Sequence, residues 1–158
     1  MFTASEVFDL AIQVEVNGER FYRYALSRNI RKELKDLLSW LADQEMEHGE
    51  NFQDMKKRIC GSSSDTCEPV FDLSTTVLRS AMGRHAFSLE ELDVFTIEEE
   101  RELLELAIEF EKDTILFYEF IASLITDPQA LLAIDQIRRQ EIDHKRLLME
   151  NLAKAQSS

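Results

Sequence analysis

A pairing of glutamate with histidine occurs twice and constrains this chain more than any other feature. Glu45 stands three positions before His48, and Glu141 stands three positions before His144, so the two pairs lie 96 residues apart. Residues i and i+3 of a helix share one face. Each pair can therefore offer a carboxylate and an imidazole to one point, provided that both segments are helical.

The same offset relates other parts of the chain. Glu15 corresponds to Glu111, and the dipeptide Phe21-Tyr22 corresponds to Phe117-Tyr118, again 96 residues apart and without a gap. A repeat at a fixed distance is typical of one structural unit used twice. The two halves are therefore interpreted as copies of one helical hairpin.

Four long segments carry apolar residues at helical spacing, and we predict helices at about 4–28, 31–59, 97–126 and 128–154. The low content of glycine (4) and proline (2) also favours an all-α protein. Hairpin 1 then covers about 4–59, hairpin 2 covers about 97–154, and a long crossover at about 60–96 joins them. One long crossover is typical of ferritin-like four-helix bundles, so the prediction is a single all-α domain over residues 1–158.

Capping signals mark three of these helix starts. Thr3 and Glu6 can form a capping box, and Thr96 with Glu99 offers a second one. Asp127 followed by Pro128 is a strong start signal for the fourth helix.

The glutamates of each hairpin are equidistant from its turn. Glu15 and Glu45 flank residue 30, and Glu111 and Glu141 flank residue 126. With a rise of about 1.5 Å per residue, all four lie roughly 20 Å from their turns. Their carboxylates are therefore expected at one level of the bundle.

Two single glutamates with two Glu-x-x-His pairs are the ligand set of a di-iron or di-manganese site in a four-helix bundle. Four carboxylates and two neutral imidazoles would offset two divalent cations, which explains otherwise costly buried charge. The predicted ligands are the bridging Glu45 and Glu141, the terminal Glu15 and Glu111, and His48 and His144, one on each metal.

Four further side chains are weaker candidates. Tyr22 and Tyr118 each follow a predicted ligand by seven residues, so each phenol could donate to a ligand carboxylate or be an ordinary half-buried tyrosine. Glu19 is a candidate extra carboxylate one turn beyond Glu15, with a solvated helix face as the alternative. Trp40 could relay electrons, but core packing is favoured.

Charge and cysteine content bound the partners and the compartment. The formal net charge of −13 argues against nucleic acid and anionic membranes as partners. No apolar run approaches ~18 residues and no secretory signal is recognisable, so a cytoplasmic protein is expected. Cys60 and Cys67 are expected as two free thiols, with a reversible disulfide as the alternative.

Nearly the whole chain resembles the rubrerythrin-like branch of the ferritin-like superfamily. The resemblance rests on Glu15, Phe21-Tyr22 and Gln44-Glu45-x-x-His48, repeated as Glu111, Phe117-Tyr118 and Gln140-Glu141-x-x-His144. It implies two iron ions, redox chemistry on hydrogen peroxide or dioxygen, and a homodimer. Rubrerythrin has a rubredoxin domain with two Cys-x-x-Cys pairs, which this sequence lacks, so the resemblance is to the stand-alone relatives and implies a separate electron-donor protein. Rubrerythrin also has an additional glutamate at the position of Thr114, so the more symmetric ligand set of this chain is closer to that of the stand-alone relatives.

Three functions stay open at this point. The first is a di-iron oxidoreductase that acts on peroxide or dioxygen with an external donor. The second is a ferroxidase or iron-handling protein, for which iron is the substrate. The third is a non-enzymatic bundle stabilised by metal. Iron is implied by the resemblance, whereas manganese fits the same ligand types.

Overall fold

The structure is a computed structural model that describes residues 2–61, 69–71 and 99–157. Four helices fill most of this part of the chain and confirm the predicted ferritin-like, all-α fold class. They are α1 (Ala4–Ala25), α2 (Lys32–Cys60), α3 (Glu100–Ala122) and α4 (Pro128–Gln156).

Two of the predicted helix starts are confirmed. The Thr3 side chain accepts a hydrogen bond from the Glu6 amide, and the Glu6 carboxylate accepts one from the Thr3 amide, which completes the capping box. The Asp127 carboxylate accepts from the Ala130 amide at 2.8 Å, with Pro128 in the first turn.

Other helix ends differ from the prediction by a few residues. The third helix begins at Glu100 rather than at about 97, and Glu99 caps it without a side-chain hydrogen bond. Thr96, the other half of the capping box predicted there, lies outside the described residues. α1 and α3 end three to four residues early, because the amides of Ser27 and Ser123 bond three residues back and tighten the last turn.

The helices pack as two hairpins, α1 along α2 and α3 along α4. Two apolar clusters form the core. One cluster takes residues from the start of α1 and the end of α2, among them Phe8 and Phe52. The other takes residues from the end of α1 and the start of α2, among them Phe21 and Leu38. The clusters therefore occupy opposite ends of the bundle, with a layer of buried polar residues between them. Each fully buried Leu or Phe stabilises the fold by about 1.5–3 kcal/mol, which helps to offset the free energy of burying that polar layer.

A short antiparallel pair of strands was not predicted. β1 (Phe2–Thr3) pairs with β2 (Pro69–Phe71), with Phe2 opposite Phe71 and Thr3 opposite Pro69. Strands of two and three residues are too short to show an alternating pattern. The rest of the predicted crossover, residues 62–68 and 72–98, lies outside the described residues.

The expectation of two free thiols is wrong for Cys60, which is buried and disulfide-bonded at the end of α2. The other cysteine, Cys67, lies outside the described residues. The two cysteines are separated by only seven residues, which makes closure of a disulfide ring entropically cheap.

None of the helices that the structure describes is both long and apolar enough to cross a lipid bilayer.

Candidate metal centre

The middle layer of the bundle brings the six predicted ligands together. All six are no more than 1% exposed. α1 and α3 each supply one glutamate, and α2 and α4 each supply a Glu-x-x-His pair, as the helical face and the equal distances from the turns require. The six residues are Glu15, Glu45, His48, Glu111, Glu141 and His144.

Their ligand atoms form two overlapping groups, and within each group these atoms lie within 4.8 Å of one another. One group contains Glu15 and His48, and the other contains Glu111 and His144; both contain Glu45 and Glu141. Two carboxylates shared by two adjacent groups are the arrangement that bridging ligands need. The outer glutamate and the histidine of each group then belong to one metal position only.

Both imidazoles turn Nδ1 towards the carboxylates. His48 Nδ1 lies 2.7 Å from Glu141 Oε1, and His144 Nδ1 lies 2.9 Å from Glu141 Oε2 and 3.4 Å from Glu45 Oε1. The two rings are stacked, with centroids 5.6 Å apart and planes 16° apart. Nδ1 is therefore the nitrogen of each histidine that can bind a metal.

Unpaired buried atoms indicate that this donor set is suited to metal cations. At least one oxygen of each of the four carboxylates is buried without a hydrogen-bond partner among the described residues, and so is His48 Nδ1. Buried polar atoms without a partner are rare and costly. His48 Nδ1 and Glu141 Oε1 approach to 2.7 Å but do not form a hydrogen bond. Such an approach is typical of two ligands of one ion, and four ionised carboxylates would balance two divalent cations.

The electrostatics of the cluster favour positive charge. In the metal-free protein this charge is supplied by protons on the cluster residues. Burial, reinforced by the neighbouring carboxylates, raises the pKa of Glu15 and of Glu111 well above the ordinary 4.5. Burial lowers the pKa of each histidine, but the facing carboxylates outweigh it and raise the pKa of His48 to about 9 and that of His144 to about 10. For Glu141, the two imidazoles outweigh desolvation and hold its pKa below the ordinary value.

Two buried tyrosines hold the outer glutamates from the opposite hairpin. Tyr22 of α1 donates its hydroxyl proton to Glu111 Oε1 of α3, and Tyr118 of α3 donates to Glu15 Oε1 of α1. The sequence predicted that each tyrosine could donate to a ligand carboxylate. It did not predict that the acceptor would lie on the other hairpin. Seven residues span about 10 Å along one helix, which is too far for a bond to the glutamate of the same helix.

Sequence reasoning gave no role to two residues that contact the cluster. A Cβ atom on Gly18 would lie 2.6 Å from Glu45 Oε2, so the absence of a side chain makes room for that carboxylate. The sequence signal that could have indicated this role is a glycine inside a predicted helix, because glycine there destabilises the helix by about 1 kcal/mol relative to alanine. The second residue is Gln140, whose Oε1 lies 2.9 Å from His48 Nε2.

Two of the weaker candidates, Glu19 and Trp40, are not members of either ligand group. The structure does not bring Glu19 into either group: its side chain is 30% exposed, and its carboxylate lies 3.5 Å from the Arg23 guanidinium. The prediction that Trp40 packs in the core is wrong, because its side chain is 44% exposed. Leu38 and Leu41 take the core face of α2, and position 40 falls beside it. The indole instead meets the His144 ring in a T-shaped contact, with centroids 5.3 Å apart.

Comparisons with known proteins agree with this geometry. The family model of the ferritin-like domain matches residues 3–154. A solved structure from Thermotoga maritima, provisionally described as a ferritin-like di-iron carboxylate protein, is 27% identical with a TM-score of 0.69, covering 98% of this chain and 97% of its own. A hypothetical protein from Pyrococcus furiosus is 16% identical with a TM-score of 0.69, covering 96% and 89%, and supports the fold alone. No curated protein matches the chain.

Proposed function

We infer that this chain, which belongs to the ferritin-like domain family, is a di-iron carboxylate oxidoreductase that reduces hydrogen peroxide or dioxygen. The observation that carries this proposal is the pair of buried ligand groups that share Glu45 and Glu141. The Thermotoga maritima structure supports it, because its description names a di-iron carboxylate protein.

The residues of the chain have distinct tasks in this proposal. Glu45 and Glu141 would bridge the two iron ions, and the outer glutamate and the histidine of each group would complete each position. Iron held by these residues would supply Fe(II)/Fe(III) electron transfer to the oxidant.

The surroundings of the cluster keep the site ordered and dry. Tyr22 and Tyr118 fix the orientation of the outer carboxylates by donating to one oxygen of each, which leaves the other oxygen for a cation. The apolar clusters on both sides exclude water and thereby strengthen the electrostatic interactions inside.

Reduction of one hydrogen peroxide to two waters consumes two electrons and two protons. Two Fe(II) ions per chain would supply the two electrons for one turnover. We propose a separate electron-donor protein as the partner that returns the centre to Fe(II), and a homodimer as the working form.

The experiment is anaerobic loading with Fe(II), addition of peroxide under stopped-flow detection, and then addition of a chemical reductant for repeated turnover. The test variant is Glu45→Gln/Glu141→Gln. The matched control, Glu47→Gln/Asp143→Asn, removes two carboxylates that are exposed and also 96 residues apart.

We expect the wild type and the control to bind two Fe(II) ions per chain and to consume about one peroxide per two Fe(II). The test variant should bind neither Fe(II) ion. Accumulation of iron far beyond two ions per chain would replace the proposal with an iron-handling function. Two tightly bound ions without any redox reaction would leave a metal-stabilised bundle.

A further inference from the structure

The two histidines differ on the side that faces away from the carboxylates. His48 Nε2 lies 2.9 Å from Gln140 Oε1 across the hairpins. His144 Nε2 is buried and has no hydrogen-bond partner among the described residues. Within the described part of the chain, one imidazole is therefore anchored at its outer nitrogen and the other is not.

The internal repeat makes this difference meaningful, because Gln44 occupies the position equivalent to Gln140. Gln44 could serve His144 as Gln140 serves His48, but its amide nitrogen donates to Glu47 Oε2 at 3.3 Å instead. The Trp40 ring contacts the His144 ring. The repeat equivalent of Trp40 is Gln136, so no indole lies at the corresponding place near His48.

The anchor fixes which nitrogen of His48 can bind a metal. An amide oxygen only accepts hydrogen bonds, so Nε2 keeps its proton. When the ring loses its second proton to bind metal, the free lone pair is therefore on Nδ1, which faces the carboxylates. The partner of the outer nitrogen of a metal-binding histidine typically changes metal affinity by about 10–100-fold. Among the described residues, Nε2 of His144 has no such partner, and the hydrogen bond of this ring is at Nδ1, to Glu141 Oε2.

We propose that the two metal positions are unequal: the position of His48 fills first and binds more tightly, and Gln140 is the positioning residue responsible. This inference rests on the metal centre proposed above and adds an order of occupancy to it. The ligands concerned are divalent first-row cations that accept carboxylate and imidazole donors. At low metal supply the chain would hold one ion, at the His48 position.

Zn(II) is a suitable probe because it is redox-silent, diamagnetic and binds the same donor types. Isothermal titration gives the two stepwise constants of the wild type, of Gln140→Leu and of the matched control Gln44→Leu. We expect wild-type constants at least about tenfold apart, and a tighter constant weakened about 10–100-fold in Gln140→Leu. Gln44→Leu should change neither constant more than about twofold. Gln140→Glu should restore the tighter constant, since a carboxylate also accepts from Nε2–H.

Nitrogen-15 NMR of the histidine rings gives a second measurement on the unaltered protein. The first equivalent of Zn(II) should shift the His48 ring and leave its proton on Nε2, whereas the second should shift His144. Equal wild-type constants, equal effects of the two glutamine variants, or a first equivalent at His144 would overturn the inference and leave the metal centre standing. A folded wild type that binds no Zn(II) and no Fe(II) would overturn both.

Discussion

Metal binding should release a number of protons that follows from the buried cluster. The facing carboxylates raise the pKa of His48 to about 9 and that of His144 to about 10, so both imidazoles are almost fully protonated in the metal-free protein at pH 7. Both must lose a proton to bind metal. Glu15 and Glu111, whose pKa values burial raises, can add one proton each. Loading with two ions should therefore release at least about two and at most about four protons per chain.

The proton count sets the pH dependence of affinity. For each proton released, the overall binding constant rises tenfold per pH unit. Release of two to four protons should therefore raise this constant about 100- to 10,000-fold between pH 7 and pH 8. The slope should decline above pH 9, where His48 has lost its proton without metal. Titration calorimetry in buffers of different ionisation enthalpy counts the protons directly.

The control variant Glu47→Gln/Asp143→Asn should release as many protons as the wild type, because both side chains are exposed. Fewer than about two protons per chain, or an affinity independent of pH between 6 and 8, would refute the protonation states inferred for this cluster.

Three further predictions follow from individual contacts. Gly18→Ala should weaken Zn(II) binding about tenfold by calorimetry, because its Cβ would lie 2.6 Å from Glu45 Oε2, whereas Gly49→Ala, with its nearest contact at 3.5 Å, should not. Tyr22→Phe or Tyr118→Phe should each cost the metal-free protein about 1–3 kcal/mol in urea unfolding, since a buried carboxylate loses its donor; an unchanged midpoint would contradict this. The melting temperature of the metal-free protein should fall between pH 6.5 and 10. Both histidines have a raised folded-state pKa, so their stabilisation is complete below 6.5 and is lost as pH rises through about 9 and 10. A rise in the calorimetric transition over that window would show the opposite sign.

The sequence allowed the fold class and the convergence of the six side chains to be predicted for one physical reason. A helix has a fixed rise and period, so residues at equal distances from a turn meet at one level on one face. The ends of α1 and α3 were less predictable, because a last turn can tighten into three-residue bonds without any change in the apolar pattern.

Contacts between side chains of different helices could not be predicted from the helical periodicity of the sequence. The sequence marked Tyr22 as a donor, but the acceptor on α3 depends on how the hairpins pack. Trp40 was assigned to the core from its residue type, yet Leu38 and Leu41 already fill the core face of α2 and leave the indole at the surface beside His144. The bond between Gln140 and His48 likewise requires the packed bundle, and nothing in the repeat distinguishes Gln140 from Gln44.

The most direct test of the metal centre is diffraction from crystals grown with Fe(II) or Mn(II), measured at the absorption edge of the metal. Two anomalous peaks about 3.5–4 Å apart are expected in the middle layer of the bundle, both in contact with Glu45 and Glu141. One peak should also contact Glu15 and His48, and the other Glu111 and His144. Peaks confined to exposed carboxylates, with an empty middle layer in the folded protein, would contradict the account.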